Sequence, residues 1–128
     1  MRDVIVRWQG QEATLVPSFR FLRRLDARLR TDPDRKSSMP QCAQTLLLGG
    51  DALMDIPLVF SAFLAEAGIT ASEEDCWALV STISSGGGDE EQRLTYSALA
   101  AAVIESVIPG VDLGKNPEAL PETATAQG

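Results

Sequence analysis

The first sixteen residues contain two short runs in which the apolar positions follow the two-residue period of a strand. Residues 4–8 place an apolar side chain at every second position, and residues 12–16 do the same after a turn at Gln9-Gly10. Two short alternating runs around a glycine-containing turn are typical of a β-hairpin. Because a lone hairpin is only marginally stable in water, we expect it to dock on the rest of the chain or on a second subunit.

The pattern changes to a helical period after Pro17-Ser18, where Ser18 is a suitable N-cap. One half of the predicted helix is apolar, and the other half is basic. The apolar positions are Phe19, Phe21, Leu22, Leu25 and Leu29. The basic positions are Arg20, Arg23, Arg24, Arg28 and Arg30. Residues 31–40, with two prolines and several charges, are predicted to form a loop.

The middle of the chain predicts a short helix and then a strongly apolar one. Residues 42–48 fit a helix that ends at Gly49-Gly50. Asp55, followed by an apolar residue and a proline, is expected to cap the next helix, which stops at Gly68. This helix is apolar nearly all round, which is typical of the centre of a bundle or of a subunit contact.

The next helix is expected to begin after Thr70 or Ser72, because either hydroxyl can cap it and residues 73–75 are acidic. Its inward stripe is predicted to contain Cys76, Trp77, Leu79, Val80 and Ile83. Three consecutive glycines, residues 86–88, then indicate a flexible connection, because the acidic residues after them would repel a phosphate.

The last helix is predicted to begin between Asp89 and Thr95 and to run to Ile108, with Glu105 opposite its apolar face. Residues 111–128 have two prolines and no periodicity, so we expect a disordered tail. The predicted fold class is therefore α+β, mainly α. It consists of an N-terminal β-hairpin and a compact bundle of four to five helices in one domain, residues 1–110.

Charge is divided unequally along the chain. Residues 1–36 carry nine basic and five acidic side chains, a balance of +4, and the remainder carries two basic and thirteen acidic ones, a balance of −11. The basic N-terminal segment can pair with the acidic remainder within the fold or between subunits, or it can bind an acidic partner. The acidic remainder and the lack of aromatics among the arginines argue against nucleic acid as a partner.

The residue types offer little for catalysis. The chain has no histidine, which removes the commonest general base and metal ligand. Its two cysteines, Cys42 and Cys76, lie far apart in sequence and are expected to be buried thiols in a reducing compartment. The acidic residues 73–75 are explained by helix capping without a metal. We therefore predict a protein that is not an enzyme and has no cofactor.

No segment has the pattern of a signal peptide or a membrane span. The longest strongly apolar run, residues 56–64, is too short to cross a bilayer. The sequence therefore predicts a cytoplasmic protein without a membrane partner.

Three segments resemble the tail assembly chaperones of long-tailed bacteriophages and prophages. DVIVRWQGQEATLVPSFRFLRRLDARL is similar to the hairpin and the first, arginine- and leucine-rich helix of that family. DIPLVFSAFLAEAGITASEEDCWALV is similar to its central apolar helix and the acidic helix start that follows. LTYSALAAAVIESVIPG resembles its alanine-rich closing helix. The resemblance covers residues 2–110.

The resemblance implies a chaperone of tail assembly in the cytoplasm of the bacterial host that is not expected in the mature virion. Its implied partners are the tape measure protein and the tail tube protein, and it could form a homo-oligomer. Two alternatives remain open. One is a structural tail component that assembles into rings or filaments, and the other is a regulator that binds nucleic acid.

Aromatic and basic side chains are the candidates for binding a partner. Large apolar residues are core by default, but any surplus on the surface would mark a docking site. The candidate residues are Arg20, Arg23, Arg24, Arg28, Phe60, Phe63 and Trp77.

Overall fold

The computed structural model describes residues 3–34 and 37–108. Within them, an antiparallel hairpin precedes five α-helices, which confirms the predicted fold class. The elements in chain order are β1 (Val4–Trp8), β2 (Gln11–Leu15), α1 (Phe19–Thr31), α2 (Met39–Leu48), a 3-10 turn (Asp51–Asp55), α3 (Ile56–Glu66), α4 (Glu73–Ser84) and α5 (Glu90–Val107). The tail predicted at residues 111–128 lies outside the described residues.

The hairpin is closed by a two-residue turn. Gln9 and Gly10 both have positive φ, 49° and 85°, and this backbone conformation matches the twist of two paired strands. The register places Val4 opposite Leu15 and Trp8 opposite Gln11. The predicted hairpin and its turn are confirmed.

One face of the hairpin docks on α5. The side chains of Val4, Val6 and Trp8 are buried, and β1 contacts α5. The buried hydroxyl of Thr95 donates to the carbonyl oxygen of Arg7 at 2.5 Å, with a carbonyl of its own helix 2.9 Å away as a second acceptor. Apolar burial and this hydrogen bond together attach the hairpin to α5 of the same chain.

Helix α3 forms the centre of the fold, as its composition predicts. It contacts α1, α4, α5 and β2. Phe63 meets the ring of Phe21 at a centroid distance of 5.2 Å, and Phe60 meets Tyr96 at 5.7 Å, both edge to face. The hydroxyl of Ser61 donates to the carbonyl of Ala71 at 2.6 Å. The polar interruption in this apolar helix is therefore satisfied inside the fold.

Three helix starts follow the caps that the sequence offers. The Ser18 hydroxyl accepts from the third residue of α1 at 3.1 Å, and the Ser72 hydroxyl accepts from the third residue of α4 at 3.0 Å. Asp89 and Gln92 form a reciprocal capping box at the start of α5. Of the two caps considered for α4, Ser72 is the one used.

Two other helix starts differ from the prediction. Asp55 does not cap α3 through its side chain, because the 3-10 turn runs directly into α3 and leaves Asp55 in a helical conformation. Its carboxylate instead accepts a hydrogen bond from Ser37. Helix α2 begins at Met39, inside the predicted loop, because Ser38 provides a cap and proline suits the first turn.

Glu105 was expected on the exposed face of α5, but it is buried, with 9% of its surface exposed. The cause is the environment of α5, which contacts α2, β1, α4 and α3. Elements on several sides leave the second half of α5 with no fully open face, so the expectation that Glu105 is exposed was wrong. The predicted apolar face is nevertheless buried through Leu99, Val103 and Ile104.

Replacing Thr95 with valine tests the attachment of the hairpin. The change keeps the shape of the side chain but removes the donor to the Arg7 carbonyl, so we expect the free energy of unfolding to fall by about 1 kcal/mol. Urea denaturation followed by circular dichroism measures it. Ser97→Ala on the exposed side of α5 is the control, and equal stability of the two variants would contradict this role.

Candidate functional site

The described residues offer no cluster of three or more His, Cys, Asp or Glu side chains placed to hold a metal ion. Cys42 and Cys76 are free and buried, as the sequence predicted. Burial raises the pKa of each thiol to about 12, with neighbouring carboxylates such as Asp55 and Asp75 adding to the shift. A thiol that stays neutral is a weak nucleophile, so neither cysteine is placed for covalent chemistry.

The outer side of α1 carries an open depression between basic and aromatic side chains of this one helix, which we call the basic groove. Its volume is about 550 Å³. It is lined by Phe19, Arg20, Arg23, Arg24 and Ala27. The ring of Phe19 is 74% exposed, and the guanidinium carbon of Arg23 lies 5.8 Å from its centroid. This cation–π contact holds an apolar ring and a positive charge side by side on the surface.

Phe19 was expected on the apolar face of α1 but lies outside it. Phe21, Leu25 and Leu29 form the buried stripe. At about 100° per residue, Phe19 lies roughly a third of a turn from the middle of that stripe. It is also the first residue of the helix, where less of the fold covers it.

The arginines of this surface are available for a partner. Among the residues with a described position, no carboxylate lies within ion-pair distance of Arg20, Arg23, Arg24 or Arg28. The ion pair within α1 joins Arg30 to Asp26 at 2.7 Å, away from the groove. The basic groove therefore presents positive charge that the described part of the fold does not neutralise.

A second groove, which we call the acidic groove, lies between the outer face of the hairpin and the first turns of α5. Ile5 and Leu94 supply apolar surface and are 61% and 63% exposed. Glu12, Glu90 and Glu91 surround them, with Arg7 as the basic member, around a volume of about 470 Å³. The sequence analysis missed this site, although Ile5 on the outer side of β1 was a signal for it.

The structure brings together only part of the predicted partner-binding set. Arg20, Arg23 and Arg24 share the basic groove, and Arg28 is exposed farther along the same helix. Trp77 is 38% exposed and lies on α4, whereas α1 packs against α2 and α3. Trp77 was predicted in the inward stripe of α4, but about 100° separates it from Cys76 at the centre of that stripe, so it lies at the edge.

Phe60 and Phe63, which the sequence suggested for binding a partner, are not available on the surface. They are 0% and 1% exposed and pack in the core through α3. The surrounding helices cover α3 on all the sides that these rings occupy, so neither ring is presented to a partner in this fold.

Comparisons with models of protein families, with curated proteins and with solved structures found no match. Across residues 3–34 and 37–108, no single helix is long and apolar enough to cross a membrane. One bent pair of helices, Met39–Leu48 with Ala52–Glu66, reaches that length and composition together, at a bend of 114°.

The buried thiols give a direct prediction. Because burial keeps both thiols neutral and out of contact with solvent, we expect the native protein to react with a thiol reagent at least roughly 100-fold more slowly than the protein in denaturant. Absorbance of the released chromophore at pH 8 follows the reaction. Two thiols per chain should react at once in urea, and equally rapid labelling of the native protein would show that a cysteine is accessible.

Proposed function

We propose that this chain is a non-enzymatic tail assembly chaperone of a phage or prophage, which binds the tape measure protein, tail tube subunits or both during tail assembly. The resemblance of residues 2–110 to that family supports the proposal. The basic groove supports it independently, because it offers a binding surface without catalytic groups. The observation that carries the proposal is Phe19, highly exposed beside arginines that have no described carboxylate partner.

The groove suits an amphipathic helix with acidic residues beside an apolar stripe. Phe19 would cover part of the stripe, and burying apolar area contributes about 25 cal/mol per Å². Arg20, Arg23 and Arg24 would pair with the flanking carboxylates, and their positive field would speed the encounter. Weak contacts repeated along a long helical partner gain strength from multivalency. Binding of this kind keeps a partner soluble without any bond being made or broken.

The basic groove is held in place by the fold beneath it. Asp26 anchors α1 to α2, because its carboxylate accepts from the backbone nitrogen of Met39 at 2.8 Å. The same carboxylate accepts from Arg30 of its own helix at 2.7 Å. The buried stripe of α1 is part of the hydrophobic core. A surface fixed in advance loses less conformational entropy on binding.

Co-expression with a long helical tail protein encoded beside this chain tests the proposal. We expect the wild-type chain to keep that partner in the soluble fraction after centrifugation. Phe19→Ser should reduce the soluble fraction severalfold, because it removes the exposed ring while leaving the core intact. The soluble and pelleted partner are measured by quantitative gel densitometry.

Leu48→Ser provides a matched control. Leu48 is 75% exposed, nearly the same as Phe19, but it lies at the end of α2 outside the basic groove. It should leave the soluble fraction unchanged. An insoluble partner with the wild-type chain, or the same loss from both variants, would count against the proposed function.

A further inference from the structure

We infer that the acidic groove of one copy receives the basic groove of a second copy, so that the free protein associates head to tail. The inference stands on the two surfaces themselves and does not require the proposed function. It assigns an occupant to the acidic groove, which the proposed function leaves unused.

The two grooves are complementary in charge. The basic groove carries three arginines, and the acidic groove carries three glutamates and one arginine. None of these side chains has an opposite charge within ion-pair distance among the described residues. The basic groove is therefore positive and the acidic groove is negative on balance, so each can neutralise part of the other's charge.

Both surfaces also carry exposed apolar side chains. Phe19 projects from the basic groove, and Ile5 and Leu94 form an apolar surface in the acidic groove. A ring that enters between Ile5 and Leu94 would bring the surrounding arginines against the glutamates. An apolar centre with a charged rim is the usual arrangement of a protein interface.

The contact has to form between copies. Helix α1 packs against α2 and α3, whereas the acidic groove is built from the hairpin and α5. The two grooves thus lie on different elements of one rigid fold and cannot close on each other. Because the two surfaces are different, each added copy leaves one of each kind free, and the assembly can grow or close into a ring. A partner that takes the basic groove would then compete with the next copy.

Sedimentation velocity of the purified full chain tests this inference. We expect the weight-average mass to rise above the 13.7 kDa of one chain as concentration increases, and to fall back toward it in high salt, because screening weakens contacts between exposed charges. A wild-type chain that stays at the monomer mass throughout overturns the inference.

Charge reversal identifies the surfaces. Arg20→Glu with Arg23→Glu reverses the sign of the basic groove and puts carboxylates near the start of α1, where the helix dipole favours them. Glu90→Arg with Glu91→Arg reverses the acidic groove. Each double variant should sediment as a monomer, and an equimolar mixture should regain the mass of the wild type, because both reversed surfaces are again complementary.

The matched control is Glu66→Arg with Glu74→Arg, which changes the net charge equally at exposed positions outside both grooves. It should associate like the wild type. Recovery in the mixture also shows that both variants are folded. No recovery in the mixture, or an assembly that stops at two copies and ignores the reversals, overturns the head-to-tail arrangement.

Discussion

The fold depends on covering α3. This helix carries apolar side chains almost all round, so it has no face that can be left in water, and each uncovered side would expose a large ring or branched aliphatic chain. Helices α1, α4 and α5 and strand β2 contact it from different directions. Once each of these elements turns its apolar side inward, the outer sides of α1 and of the hairpin are among the surfaces that remain exposed.

Several polar side chains and both cysteines take part in the packing of the fold. The Thr95 and Ser61 hydroxyls donate to backbone carbonyls, and Asp26 joins two helices. Both thiols are buried and kept neutral. The described surface retains apolar side chains next to charged ones, namely Phe19 among arginines and Ile5 with Leu94 beside three glutamates and Arg7. Such surfaces suit binding more than catalysis.

Local signals in the sequence predicted most of the elements, because their causes are local. The Gln9-Gly10 turn and the Ser18 and Ser72 caps depend on a few neighbouring residues, and all three are confirmed. Predictions failed where the outcome depends on distant elements. The packing of other helices decides whether Trp77 and Phe19, at the edges of their stripes, are covered. It also decides whether Glu105 is exposed.

The candidate site was only half predictable for the same reason. The arginines of α1 form a visible periodic pattern in the sequence, so the basic groove could be anticipated. The acidic groove joins residues of the hairpin to residues of α5 that are about eighty positions away in sequence. No local sequence pattern predicts that these residues lie close together. Phe60 and Phe63 were predicted to bind a partner and Phe19 was predicted to face the core, and the packing reverses both assignments.

The central claim is that this protein acts by covering apolar surface on another molecule. Isothermal titration calorimetry at several temperatures, with the apolar helical segment of a tail protein as titrant, tests it most directly. The account predicts saturable binding with a clearly negative heat-capacity change, the signature of apolar burial. No binding, or binding with a heat-capacity change near zero, would contradict it.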